Sequence, residues 1–86
     1  MKVNFRKKFT KQYEKLREIE RIKVDDAIMR FIANHYDQVL RNHDLHGKMG
    51  DKRSISAANN LRLIFKVEGD YIVVIMLAVG SHNQVY

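Results

Sequence analysis

Apolar positions recur every three or four residues in the first half of the chain and every second residue in the second half. The opening residues Val3 and Phe5 alternate with polar neighbours, the mark of a short strand. Phe9, Tyr13 and Leu16 then recur at i, i+4 and i+7, with Lys7, Lys8, Lys11, Lys15 and Arg17 on the other sides of the turn, so a helix is predicted. A second stripe follows: Val24, Ile28, Phe31, Ile32, Tyr36, Val39 and Leu40 fall on one face at helical spacing. The apolar phase slips between Ile19 and Lys23, which predicts the joint of an αα-hairpin there.

Arg41 to Asp51 is polar and broken by Gly47 and Gly50, so it reads as a connection. Strand patterns follow over Arg53–Ala57, Leu61–Val67 and Tyr71–Val79. Leu61, Leu63, Phe65 and Val67 alternate with Arg62, Ile64 and Lys66, as in a half-buried strand. Glu68-Gly69-Asp70 is a tight hairpin connection, with glycine where a positive φ is needed. Tyr71–Val79 is almost wholly apolar and β-branched, as befits a central strand covered on both faces. The predicted order is β-α-α-β-β-β in a single domain spanning residues 1–86. A helical hairpin laid on a mainly antiparallel sheet makes this an α+β fold.

Composition narrows the partners. Sixteen Lys and Arg against ten Asp and Glu give a formal net charge of +6. Such an excess favours polyanions through counterion release and steering, which leaves RNA, DNA, an acidic protein or an anionic lipid surface open. There is no cysteine, so neither a disulfide nor a thiolate zinc site can support the small core. The charged N-terminus has no apolar segment of a secretory signal behind it, and Tyr71–Val79 falls far short of the roughly 20 residues of a membrane-spanning helix. A soluble cytoplasmic protein with no membrane partner is the expectation.

Candidate chemistry lies in the second half. Four histidines are present: His35, His43, His46 and His82. His35 borders the second helical stripe and reads as structural. His43 and His46, spaced i, i+3 beside Asp44, lack the paired helical ligands or cysteines of a metal motif, so no metal site is expected. No glycine-rich phosphate loop and no Ser/His/Asp order occurs. Arg53 opens one strand, Arg62 lies inside the next, and Gly80-Ser81-His82 ends the last, with Tyr86 closing the chain. Directly after a buried strand, His82 could be held rigidly and still reach solvent, but taken alone it reads as an exposed loop residue.

The segments Asn42-His43-Asp44-Leu45-His46-Gly47, Lys52-Arg53-Ser54-Ile55, Leu61-Arg62-Leu63-Ile64-Phe65 and Gly80-Ser81-His82-Asn83-Gln84-Val85-Tyr86 together resemble the YafQ branch of the RelE/ParE toxin superfamily. The resemblance implies a RelE-like fold and an endoribonuclease that cleaves messenger RNA on the ribosome without a cofactor. It also implies a cognate acidic antitoxin as partner, with operator DNA bound only through that antitoxin. Carried over by position, His82 would transfer a proton and His43 would be the second histidine of the site. Arg62 and Arg53 would hold or stabilise the phosphate, and Tyr86 would hold or stack on substrate. Lys48, Lys52, Lys66, His46 and Asn60 would contact the RNA. Three positions depart from the pattern: Asn60 replaces a frequent Asp, Ser56 an occasional His, and Ala78 an occasional Arg. A ParE-like inhibitor of gyrase, or a catalytically weak relic that still binds antitoxin, are the alternatives on the same scaffold.

Overall fold

A computed structural model describes all 86 residues. Strand β1 (Lys2–Phe5) leads into helices α1 (Lys7–Glu14) and α2 (Glu18–Ala33). A 3₁₀ turn, Gln38–Leu40, precedes the short strand β2 (His43–Asp44), and a second, Gly47–Met49, precedes β3 (Arg53–Ala58). Strands β4 (Leu61–Glu68) and β5 (Val73–Gly80) follow, and helix α3 (His82–Val85) ends the chain. The five strands form one sheet in the order β1-β5-β4-β3-β2. β1 runs parallel to β5, and every other pairing is antiparallel. This is the α+β architecture expected, with β2 and α3 as additions the apolar pattern did not announce.

The main core lies between sheet and helical hairpin. Phe9, Val24, Ala27 and Phe31 supply the helix side, and Ile55, Leu63, Phe65, Val74 and Met76 the sheet side. A smaller cluster of Ile64, Ala78 and Val85 sits apart from it, flanked by Leu45, Met49 and Leu77. Ile64 belongs to the opposite face because side chains alternate along β4. In β5 the register jumps from Met76↔Phe65 to Ala78↔Ile64. Leu77 is therefore a bulge that reverses the phase, so that Met76 and Val79 both reach the main core. With apolar demand on both faces, β5 can be apolar nearly throughout.

Two expectations are corrected. The second helix runs from Glu18 to Ala33, not over Val24–Leu40, and the hairpin joint falls at residues 15–17 rather than 19–23. The early start has a local cause: the Glu20 carboxylate accepts from the Arg17 backbone N–H at 3.0 Å and from Arg17 Nε at 3.2 Å. The early stop is local too. Asn34 is extended and its side chain accepts from Tyr36 N, while Asp37 accepts from Val39 N. Such side-chain bonds to nearby backbone compete with the helix. Ile32, Tyr36 and Val39 are left exposed, whereas Leu40 reaches the core from the 3₁₀ turn. The other correction concerns Tyr71, which lies before β5 rather than in it. Glu68 pairs with Val73, and Gly69, Asp70 and Tyr71 all take positive φ in the loop between. Tyr71 is held there by tertiary contacts: its ring stacks on His35 at 3.7 Å, and its hydroxyl accepts from Asn42 Nδ2 at 3.0 Å. Burial is the chief reason its phenol titrates above the ordinary value.

Candidate active site

Strand alternation sets what each face carries. In β3, Ile55 points to the helices, so Ser54 and Ser56 point away from them, as do Arg62, Ile64 and Lys66 of β4. β2 pairs His43 with Ser54, which puts His43 on this outer face at the sheet edge. Helix α3 packs on the same face through Val85, against Ile64 and Ala78. A helix of four residues cannot stand alone. It is fixed by that packing and by Gln84, whose carboxamide oxygen accepts from Ser81 N at 2.8 Å. Gly80 makes room for this bond, since a Cβ there would lie 2.7 Å from Gln84 Oε1 and 3.2 Å from its Cβ.

Between α3 and the β2–β3 connection lies a cleft of about 470 Å³. His43, Asp44, Leu45, His46, Lys48 and Met49 line one side, and His82 and Tyr86 the other. The His82 and Tyr86 rings meet edge to face, 4.3 Å between centroids. The Tyr86 hydroxyl donates to Ser54 Oγ at 2.9 Å, which fastens the end of the chain to the sheet. Asn60 Oδ1 accepts from His82 N at 3.3 Å. On the opposite wall, His43 Nδ1 lies 2.7 Å from the Arg41 carbonyl oxygen. A carbonyl has no proton to give, so Nδ1–H donates and a neutral His43 carries its lone pair on Nε2.

Three expected site residues therefore share the cleft with Tyr86: His43, His46 and His82. Lys48 joins them. Arg53 does not. It lies on the helix-side phase of β3, donates to Asn42 Oδ1 at 2.8 Å and pairs with Asp44, tying β2 to β3. Arg62 keeps the outer face beside Gly80 in register, but its Nη1 is occupied by Ser56 Oγ and the carbonyls of Ala58 and Asn59. Asn60 holds the His82 backbone rather than lining the cleft. Lys52 pairs with Asp51, and that hydrogen bond is the main reason the Asp51 carboxyl titrates below its ordinary value. Lys66 adds a weaker pull on the same carboxyl. Ala78 is buried under α3, where no cation could be accommodated without displacing Val85. No three His, Asp or Glu side chains are grouped as metal ligands.

Ser54 and Asn42, which stand in the sequence only as members of motif segments, hold Tyr86 and Arg53 in place, a part the sequence did not assign them. Ser54 is fully buried, and its signal was available in the alternation beside Ile55. A hollow of about 510 Å³ between the start of α2 and the β3–β4 turn is lined in part by Arg17 and Glu20, which are spent on each other.

A family model described as bacterial toxin of type II toxin–antitoxin system, YafQ, matches residues 1–86. Direct comparison with curated proteins finds no match. Among solved structures, YafQ from E. coli strain BL21(DE3) superposes with a TM-score of 0.82 at 15% identity, covering 98% of this chain and 96% of that one. A YoeB/ParE toxin from Agrobacterium tumefaciens superposes with a TM-score of 0.79 at 18% identity, covering 95% and 99%. A chain of the E. coli DinJ–YafQ toxin–antitoxin complex gives a TM-score of 0.76 at 16% identity, covering 98% and 94%.

Proposed function

Because the chain belongs to the YafQ family of type II toxin–antitoxin toxins, we propose that it is an endoribonuclease that cuts messenger RNA on the ribosome in the cleft under α3. The observation that carries this reading is the meeting of His43 and His82, from opposite walls, in one open cleft that also holds a lysine and an aromatic ring. His43, with Nε2 unprotonated, takes the proton of a ribose 2′-OH. The oxygen attacks the adjacent phosphorus, the bond from phosphorus to the 5′-oxygen breaks, and protonated His82 gives its proton to the departing oxygen. Histidine as a residue type titrates near neutrality and serves either role. Lys48, in the cleft, compensates the charge developing on the phosphoryl oxygens, while Arg62, bonded to Ser56 and the β3–β4 turn, adds positive charge from outside the lining. Tyr86 stacks on a base and orients His82. Both proton transfers and the charge compensation come from side chains, so the step is written without a metal. Arg53 acts at one remove, by holding the strand that carries His43.

The partner is an acidic antitoxin that covers the cleft, as DinJ accompanies YafQ in the E. coli complex. Operator DNA would be reached only through that antitoxin. Purified protein mixed with ribosomes programmed with a defined message tests the reading. Cut fragments ending in a 2′,3′-cyclic phosphate, with 5′-hydroxyl partners, are expected. Message left whole beside inhibited gyrase supercoiling would replace this reading with the ParE-like one.

A further inference from the structure

The net charge of the protein is not spread over its surface. Between Met1 and Arg17 seven basic residues stand against Glu14 alone, while the remainder balances at nine Lys and Arg against nine Asp and Glu. The whole excess of +6 therefore belongs to β1, α1 and the turn after it. Along α1 and its C-cap Lys15, the 100° step per residue gathers Lys7, Lys8, Lys11 and Lys15 on the solvent side, away from buried Phe9. All four are exposed, and none takes part in an ion pair. Lys7, Lys11 and Lys15 follow one another at i, i+4, about 6 Å apart along the axis.

The orientation of this row is fixed by its neighbours. Tyr13 turns towards α2 and donates to Asp25 at 2.7 Å. Gln12, on the other flank, accepts from Val79 N at 2.9 Å. Lys15 and Gln12 border a shallow hollow whose far side is Gln84 of α3. The lysine row thus ends beside the helix that opens with His82.

We propose that Lys7, Lys8, Lys11 and Lys15 form an RNA-backbone docking surface, separate from the cleft, that leads a bound strand towards α3. The row offers charge without exposed apolar anchors, which is the profile of a phosphate contact rather than of a folded or folding protein segment. Exposed apolar side chains lie off the row, at Ile22, Met29 and Ile32 on α2 and at Phe5, whose ring packs on Phe9 on the flank of α1 next to α2. Lysines, as mobile point charges, suit a backbone whose sequence is not being read. The inference leans on the nuclease reading only in naming RNA as the polyanion.

The test is the affinity of the full chain for a fluorescent 2′-O-methyl RNA hairpin, measured by anisotropy from 50 to 200 mM salt. This probe has no 2′-OH to attack, so binding is read apart from cutting. Replacing all four lysines by Gln is expected to weaken binding on the order of 100-fold at 100 mM salt and to flatten the slope of log affinity against log salt by about 3. The four-Arg variant should restore both. The pair K23Q and R30Q on α2 should change affinity less than threefold. Unchanged affinity and slope in the four-Gln variant would overturn the proposal. So would loss of binding to polyglutamate with RNA binding intact, which would assign the row to an acidic protein. A wild type that binds the hairpin but never cuts message would sink the nuclease reading and leave the docking surface standing.

Discussion

The hydroxyl of Tyr86 and the amide of His82 are where single atoms decide the geometry of the cleft. Ser54 Oγ takes the first and Asn60 Oδ1 the second, so the catalytic histidine proposed here is fixed through groups on β3 and on the β3–β4 turn. Replacing Tyr86 by Phe removes the bond to Ser54 and leaves the ring. It should cost about 0.5–1.5 kcal/mol in urea unfolding and slow cutting, and S54A should do no more than match it. A double variant that adds the two losses in full would deny that they share one bond. His82 and Tyr86 stood out in the sequence because a terminal motif surrounds them. Arg53 was misplaced for a simple reason: the motif named it, while the alternation set by Ile55 turns it to the helices. Its partners, Asn42 and Asp44, lie on the preceding connection, and no periodic pattern marks such contacts.

Among the elements, α2 shows where pattern and local chemistry part. The apolar stripe from Val24 to Leu40 is real in spacing, but Asn34 and Asp37 bond their own backbone and end the helix within it. The N-terminal side gives a pH signature. Glu20 is held below its ordinary value of 4.5, first by the Arg17 backbone N–H and then by the Arg17 side chain. With a depressed folded-state value, its contribution is present in full above 4.5 and is lost as pH falls through the lowered value. Wild type should therefore lose more stability than E20Q between pH 7 and pH 3, and parallel urea midpoints for the two would count against the bond. At the other end, α3 depends on Gly80. G80A should push the Gln84 carboxamide off Ser81 N and loosen α3, lowering cutting with little change in thermal midpoint. A fall in midpoint as large as that of a core substitution would show that Gly80 serves the main core instead.

At the scale of the whole molecule, the sheet divides two tasks. One face carries a core cluster of thirteen buried residues with the helices, and the other a cluster of three, Ile64 and Ala78 of the sheet with Val85 of the four-residue helix that covers them. Residues 1–80 should fold without the tail. Val85 is the only buried apolar side chain lost, at about 1.5–3 kcal/mol, together with the half-exposed ring of Tyr86 and its bond to Ser54. Deleting Ser81–Tyr86 should leave cooperative unfolding and abolish cutting; a chain that no longer folds would show that the small cluster belongs to the core. The fold was legible because both periodicities, 3.6 and 2, persist over long segments. The cleft was legible only in part, because its walls come from a connection, a sheet edge and a chain end, which periodicity does not describe.

Single-turnover cutting of ribosome-bound message by wild type and H82A, with circular dichroism to confirm the fold, tests the central claim most directly. The cleft assigned here predicts a rate lower by about 10²–10⁴-fold for the folded variant. A folded H82A that cuts as fast as wild type would contradict it.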